Sequence, residues 1–158
     1  MALEIERKFL IAGEQWRDAA HSPRRLRQGY LGGEGGRASV RVRVDDSEAR
    51  LNIKAAVVGS ARAEYDYPMP RDEADEILDT LCIGCIDKTR HLVDFAGHQW
   101  EVDEFHGDNA GLVVAEIELG AVDETFERPD WLGEEVTDQK RYYNHALAMT
   151  PWKDWEAA

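Results

Sequence analysis

Strict alternation of charged and apolar side chains is the main pattern along this chain. In the first ten residues, Glu4, Glu6 and Lys8 fall at every second position, with Ile5 and Phe9 between them. Successive side chains in a β-strand point to opposite faces, so this spacing predicts a strand with one charged face and one largely apolar face. Taken alone, such a strand is typical of a protein surface, where the charges face water. The pattern requires more explanation because it recurs with complementary charges.

The recurrences predict eight strands in all. Besides the first ten residues, the alternating segments are residues 24–31, 37–45, 49–56, 62–68, 87–95, 98–105 and 112–119. Apolar side chains return at helical spacing over residues 71–81, which predicts a helix between the fifth and sixth strands. Residues 123–135 are expected to be turn-rich. Thr137 or Asp138 is expected to cap a last helix over residues 139–149.

Eight strands with mostly short connections predict an α+β fold built on a closed or nearly closed, mostly antiparallel β-barrel with flanking helices. Two arrangements satisfy the alternation. In one, the apolar faces fill the barrel and the charges face water. In the other, the charges line a wide, wet lumen, and outward residues such as Val42, Trp100 and Ile117 need cover from helices and loops. Periodicity alone leaves both arrangements open.

The charged faces carry pairs of one sign at alternate positions. The acidic pairs are Glu4 and Glu6, Glu101 and Asp103, and Glu116 and Glu118, and the basic pairs are Arg41 and Arg43, and Lys88 and Arg90. Carboxylates on neighbouring strands offer the hard oxygen ligands that Mg²⁺ and Mn²⁺ prefer. Arginine and lysine side chains would neutralise a polyanion. If these faces share a lumen, they describe a site for a triphosphate carried with its metal.

Composition narrows the classes of function. The 158 residues are 43% hydrophobic and 32% charged, as expected of one globular domain spanning residues 1–158. A formal net charge of −13 argues against a general surface for nucleic acid or anionic membranes. No apolar run approaches the roughly 20 residues of a membrane span, and the first ten residues are too charged for a signal peptide, so we expect a cytoplasmic protein. Neither a P-loop nor a nucleophile elbow is present.

The two cysteines, Cys82 and Cys85, form a lone C-x-x-C motif. A zinc site would need two further ligands, and no second motif or paired histidines supply them. The surrounding residues are apolar, which predicts buried, inert thiols at a helix end.

The ordered set of charged motifs resembles the CYTH domain, the family of triphosphate tunnel metalloenzymes. The resemblance begins at Glu4-x-Glu6-x-Lys8 and extends to the tail at residues 134–142. Between them, in the order of the family, stand Gln28-Gly29-Tyr30, Arg41-x-Arg43, Lys54, Glu64-Tyr65, Lys88-x-Arg90, Trp100-Glu101-Val102-Asp103 and Glu116-x-Glu118. This resemblance favours the arrangement with a charged lumen.

The resemblance implies an antiparallel tunnel of eight strands that binds a linear triphosphate and requires a divalent metal, Mg²⁺ or Mn²⁺. The implied metal-binding carboxylates are Glu4, Glu6, Asp103, Glu116 and Glu118. The implied phosphate-binding cations are Lys8, Arg41, Arg43, Lys54, Lys88 and Arg90. Lys88 and Tyr30 are expected to assist proton transfer, the alternatives being a phosphate clamp for Lys88 and barrel packing for Tyr30.

Within the family, the chain is most similar to compact bacterial members that hydrolyse inorganic tripolyphosphate to pyrophosphate and orthophosphate. The alternatives are a class IV-type adenylate cyclase, a thiamine or nucleoside triphosphatase, and a polyphosphate-binding module without turnover. We expect a small-molecule triphosphate as the partner, no nucleic acid or membrane, and a homodimer as the default oligomeric state. Tryptophans such as Trp16 and Trp131 are expected to cover the outside of the barrel rather than stack on a substrate.

Overall fold

Strand β1 (Ala2–Ile11) closes the sheet, because it pairs with a strand at each end of the sheet order. In the computed structural model, which describes residues 2–32 and 35–155, β1 runs antiparallel to both β5 (Ala61–Met69) and β8 (Val113–Glu118). The strands between them are β2 (Ala20–Leu31), β3 (Ala38–Val44), β4 (Ala49–Ala55), β6 (Gly84–Phe95) and β7 (His98–Phe105). The order β1-β5-β4-β3-β2-β6-β7-β8 returns to β1, which confirms the predicted eight-stranded barrel.

In the part of the chain that the structure describes, three α-helices pack against this ring of strands. They are α1 (Trp16–Ala19), α2 (Arg71–Thr80) and α3 (Asn144–Met149). Short 3₁₀ turns occupy Gly107–Asn109, Lys140–Tyr142 and Trp152–Asp154. The predicted helix between the fifth and sixth strands is therefore confirmed as α2. Across residues 2–32 and 35–155, none of the helices has the length and apolar character needed to cross a membrane.

Two predictions for the last third of the chain need correction. Residues 123–131 contain only turns and irregular chain, as expected, but the last four residues of the segment expected to be turn-rich form a ninth strand, β9 (Leu132–Glu135), which pairs with the end of β1. The last helix begins at Asn144, and neither Thr137 nor Asp138 caps it. The Thr137 hydroxyl instead accepts a hydrogen bond of 3.0 Å from the backbone N–H of Lys8, so it fastens the chain to β1.

The apolar faces of the strands point out of the ring and are covered from outside. Val42 of β3 packs in one cluster with Leu78 of α2. Trp100 of β7 packs in another with Trp16 and Trp131, and both of these covering tryptophans are buried. The arrangement with a charged lumen is therefore the one that the chain adopts, and Trp16 and Trp131 cover the outside as predicted.

Close packing of α2 on the ring depends on Gly29. A Cβ at this position would lie 2.6 Å from Cys82 Sγ and 2.9 Å from Leu78 Cδ2. Cys82 is half-buried at this contact, but Cys85 is exposed, so the prediction of two buried thiols is wrong for Cys85. The reason is that Cys85 lies within β6 rather than at a helix end, on the face opposite Lys88.

At one end of the ring the inward-facing side chains are apolar. Ile86 shares its face of β6 with Lys88, and Val114 shares its face of β8 with Glu116. Both apolar side chains belong to a buried cluster with Leu147 of α3, which is completely buried. Residues 136–149, called here the C-terminal segment, therefore close this end of the ring.

We expect Leu147→Ala to lower the free energy of unfolding by about 2–5 kcal/mol, because it leaves a cavity in this cluster. Leu81→Ala is the matched control, since Leu81 is 60% exposed, and it should change stability by no more than about 0.5 kcal/mol. Urea denaturation measures both. Equal losses in the two variants would contradict the closing role of α3.

Candidate active site

The ring encloses a cavity of about 520 Å³ lined mainly by charged side chains. This volume lies within the range of about 300–1,000 Å³ that is usual for small-molecule sites. The predicted site residues that line it are Glu4, Glu6, Lys8, Tyr30, Arg41, Arg43, Lys54, Lys88, Arg90, Glu116 and Glu118. Asp103 is not among them, because it is almost completely buried against two basic side chains.

The predicted acidic and basic site residues lie mainly on different strands of the ring, although Lys8 lies on β1, and Glu64 and Asp66 of β5 also line the cavity. The acidic arc is defined by Glu4 and Glu6 of β1, Glu101 of β7, and Glu116 and Glu118 of β8. The basic arc is defined by Arg41 and Arg43 of β3, Lys54 of β4, and Lys88 and Arg90 of β6. Strand register builds the acidic arc, because Glu118 lies opposite Glu6 and Glu116 lies opposite Glu101. The cavity can therefore hold an anion and a cation at once.

Two arginines of the basic arc form no ion pair within the part of the chain that the structure describes. Arg43 donates a hydrogen bond of 2.8 Å from Nε to the neutral Gln28 side chain. The buried Nε of Arg41 has no hydrogen-bond partner among the described residues. Burial, together with Arg41 and Arg90, lowers the pKa of Arg43 to about 9. This excess of positive charge and of unsatisfied donors suits an anion with several oxygens.

Lys88, Arg90 and Asp103 form the most deeply buried charged group of the site. The Asp103 carboxylate accepts two hydrogen bonds from Arg90, at 2.8 and 2.9 Å, and one from Lys88 Nζ at 2.7 Å. Burial alone would raise the pKa of Asp103, but Arg90 and Lys88 outweigh it and hold that pKa below its usual range. Burial also lowers the pKa of Lys88 to about 7, against the opposing effect of Asp103. Asp103 therefore acts here as a counter-charge.

The acidic arc holds two carboxyl groups that compete for ionisation. Burial and the neighbouring Glu116 raise the pKa of Glu6 to about 8. Burial also raises the pKa of Glu116, but Lys8, whose Nζ lies 3.5 Å away, helps to hold that pKa well below its usual range. A protonated Glu6 beside an ionised Glu116 is the state expected when no cation neutralises the pair.

Within the acidic arc, Glu4 faces two cations. Its Oε1 lies 2.8 Å from Lys54 Nζ and 3.8 Å from Arg62 Nη2. The same oxygen is buried and has no partner with hydrogen-bond geometry among the described residues. It is therefore held by charge alone and retains its capacity to accept a donor or a metal.

The donor set fits a divalent metal in its chemistry. In the described part of the chain, no three carboxylate, imidazole or thiol groups already converge as a metal site. However, the unsatisfied oxygen of Glu4 and the raised pKa of Glu6 beside Glu116 are what a carboxylate site without its cation would show. Oxygen ligands of this kind suit Mg²⁺ or Mn²⁺.

Tyr30 and Lys88 both line the cavity, but they have different partners. The Tyr30 hydroxyl accepts a hydrogen bond of 2.9 Å from Gln28 Nε2. Lys88 Nζ donates to Asp103 and to Asn144, and no described contact joins it to Tyr30. Strand pairing places Lys88 opposite Leu26 and Tyr30 opposite Gly84. The proton-transfer pair therefore stays a prediction.

Several cavity residues were not predicted as site residues. Arg62 Nη2 lies 3.3 Å from a Glu6 oxygen. Its position on the charged face of the fifth predicted strand is the sequence feature that could have identified it as a site residue. Lys140, Tyr143 and Asn144 enter the cavity from the C-terminal segment. The helix predicted over residues 139–149 gives no indication that these side chains reach the lumen.

Comparison with known proteins agrees with this architecture. The model of the CYTH domain matches residues 2–147, and the chain therefore belongs to the CYTH domain family. It is similar to the inorganic triphosphatase of Acetivibrio thermocellus, with 43% identity over 157 residues and 99% of each chain covered. It is also similar to the inorganic triphosphatase of Nitrosomonas europaea, with 34% identity over 93% of this chain and 97% of the relative.

A solved structure extends the similarity to three dimensions. The crystal structure of an inorganic triphosphatase superimposes with a TM-score of 0.66 at 33% sequence identity, covering 92% of this chain and 97% of the other. The family assignment made from the ordered motifs is thereby confirmed.

We expect Asp103→Asn to destabilise the protein by about 3 kcal/mol, because it leaves Lys88 and Arg90 buried without this carboxylate. The loss should lie at the low end for a broken buried pair, since Lys88 can release its proton. Chemical denaturation without phosphate measures the change. Asp94→Asn is the control, because Asp94 forms an exposed pair with His21, and it should leave stability little changed.

Proposed function

We propose that this protein hydrolyses inorganic tripolyphosphate to pyrophosphate and orthophosphate, with Mg²⁺ or Mn²⁺ as the cofactor. The observation that carries the proposal is that arginines without an ion pair among the described residues and crowded carboxyl groups lie in one cavity. Arg41 and Arg43 form no ion pair among the described residues, whereas burial beside Glu116 raises the pKa of Glu6. A metal–triphosphate complex supplies both missing charges. The inorganic triphosphatases among the relatives support the same reaction.

The basic arc would bind the phosphate chain. Arg41 and Arg43 have planar guanidinium groups that can donate two hydrogen bonds to one phosphoryl group. Lys54 and Arg62 now face Glu4 and Glu6, and they would exchange part of this contact for phosphate oxygens. Lys88 and Arg90 stay fixed by Asp103 and present charge from one direction. Such fixed cations stabilise charge that develops as the phosphoryl group transfers.

The acidic arc would hold the metal. Glu4, Glu6, Glu116 and Glu118 are the proposed ligands, and Asp103 is a weaker candidate because Arg90 and Lys88 already occupy its oxygens. A divalent metal bound there would neutralise phosphate charge and lower the pKa of a bound water. Glu101 lies 3.2 Å from Arg90 Nη1 and is better placed as a counter-charge than as a ligand.

Glu4→Gln should abolish metal-dependent phosphate release from tripolyphosphate, because it removes a proposed ligand while keeping the size of the side chain. The control is Glu73→Gln, an exposed position on α2 outside the ring, which should retain full activity. Orthophosphate is measured with Mg²⁺, with Mn²⁺ and with a chelator. Release that is unaffected by the chelator would contradict the proposal.

The products separate the proposed reaction from the alternatives in the same family. With tripolyphosphate, ATP and thiamine triphosphate offered in turn, we expect tripolyphosphate to give the largest kcat/KM. Cyclic AMP with pyrophosphate from ATP would instead identify a cyclase. Metal-linked binding of tripolyphosphate with no release of phosphate would identify a binding module.

Metal affinity should depend on pH, because Glu6 must lose its proton before it can bind a cation. With a pKa of about 8, Glu6 is protonated below that pH, so affinity should rise with pH and level off above 8. The rise is at most about tenfold per pH unit for one released proton. Calorimetric titration with Mn²⁺ between pH 6 and 9 measures it, and Glu6→Gln should flatten the profile. A flat profile in the unmodified protein would refute this assignment.

A further inference from the structure

Lys88 is the most enclosed cation of the cavity. Its side chain is completely buried, yet it contributes to the cavity lining. An ammonium group has three N–H donors. Lys88 Nζ donates one of them to Asp103 Oδ2 at an N···O distance of 2.7 Å, and another to Asn144 Oδ1 at 2.9 Å. Two donors are therefore held by the protein, and the third has no hydrogen-bond acceptor among the described residues, although Nζ also lies 5.5 Å from the centre of the Phe105 ring.

Asp103 alone does not fix the direction of the third donor. Its two oxygens already accept two hydrogen bonds from Arg90, and Lys88 shares one of these oxygens. An ammonium with a single acceptor can rotate about that contact. Asn144 supplies a second acceptor from a different element, and two fixed acceptors leave one orientation for the remaining N–H.

The side chain of Asn144 serves Lys88 rather than its own helix. Asn144 is the first residue of α3, and within the described contacts no side chain caps this helix. Its carboxamide is neutral, so it accepts a hydrogen bond without cancelling the positive charge of Lys88. This is the property required of a group that aims a cation at an anionic substrate.

The distance between α3 and β6 is set by backbone contact. A Cβ at Gly84, at the start of β6, would lie 2.6 Å from the carbonyl oxygen of Ala148 in α3. Lys88 and Asn144 belong to the same two elements, so this close approach keeps them within hydrogen-bonding reach.

We propose that Asn144 is a positioning residue for Lys88, and that its carboxamide oxygen directs the free N–H of Lys88 toward a phosphoryl oxygen of the bound triphosphate. The identity of that anion rests on the proposed function, whereas the contact between Asn144 and Lys88 does not. A donor that is oriented before the reaction stabilises developing charge without reorganisation. Loss of the orientation should therefore affect turnover more than fold.

Three variants test the proposal. Asn144→Leu keeps the size of the side chain but removes the acceptor. Asn144→Asp keeps an acceptor oxygen and adds a negative charge. Gln139→Leu is the control, because it removes a half-buried carboxamide of the C-terminal segment whose only side-chain hydrogen bond among the described residues is to Glu134.

The first readout does not depend on activity. The Nζ–H₃⁺ signal of Lys88 is followed in ¹H–¹⁵N spectra of protein labelled with ¹⁵N-lysine at pH 6, and Lys88→Arg assigns it. We expect Asn144→Leu to shift or broaden this signal, and Gln139→Leu to leave it unchanged. An unchanged signal in Asn144→Leu would overturn the proposal, whether or not the protein hydrolyses triphosphate.

The second readout is the division of the effect between kcat and KM for tripolyphosphate. We expect Asn144→Leu to lower kcat by about 10- to 100-fold. Asn144→Asp should keep most of kcat but raise KM, because the added charge repels the substrate. A kcat in Asn144→Leu equal to that of Gln139→Leu would overturn the proposal. If the unmodified protein itself releases no phosphate, the proposed function fails, and the spectra still decide whether Asn144 positions Lys88.

Discussion

The pairing of β1 with both β5 and β8 is the constraint on which the rest of the structure depends. Once these two ladders close the ring, each side chain of a strand must point either into the ring or out of it, because successive side chains alternate. A slip of one residue in β1 would turn Ile5 and Phe9 into the lumen and Glu4 and Glu6 into the apolar cover. Register therefore fixes the fold and the charges of the cavity together.

Enclosing so many charges is unfavourable unless each is compensated. Most of them are, since Asp103 forms ion pairs with Lys88 and Arg90, and Lys54 forms one with Glu4. The compensation is incomplete at Arg41, whose buried Nε has no acceptor among the described residues. It is also incomplete in the acidic arc, where burial and the neighbouring Glu116 raise the pKa of Glu6. These two defects have opposite sign and lie in one cavity, so a single ligand that carries both charges would relieve them together.

Local periodicity predicted most of the fold, because a period of two residues is visible in a short segment. It placed the charged faces of β1, β3 and β8 correctly but could not decide whether they face inward. The strand β9 was missed because its four residues form a strand only through pairing with the distant end of β1. The start of α3 was misplaced because Thr137, a good capping residue, instead bonds to Lys8. Asn144 carried no signal, since its partner is 56 residues away.

The C-terminal segment links the stability of the ring to the order of the cavity. A helix of six residues such as α3 is too short to be stable alone, so it forms only when tertiary contacts hold it. Leu147 provides those contacts by packing among the inward apolar side chains, while Asn144, one turn earlier, reaches Lys88. The apolar end of the ring therefore holds α3 in place, and α3 in turn holds Lys88 through Asn144. Any change that loosens the packing of Leu147 should be transmitted to the orientation of Lys88.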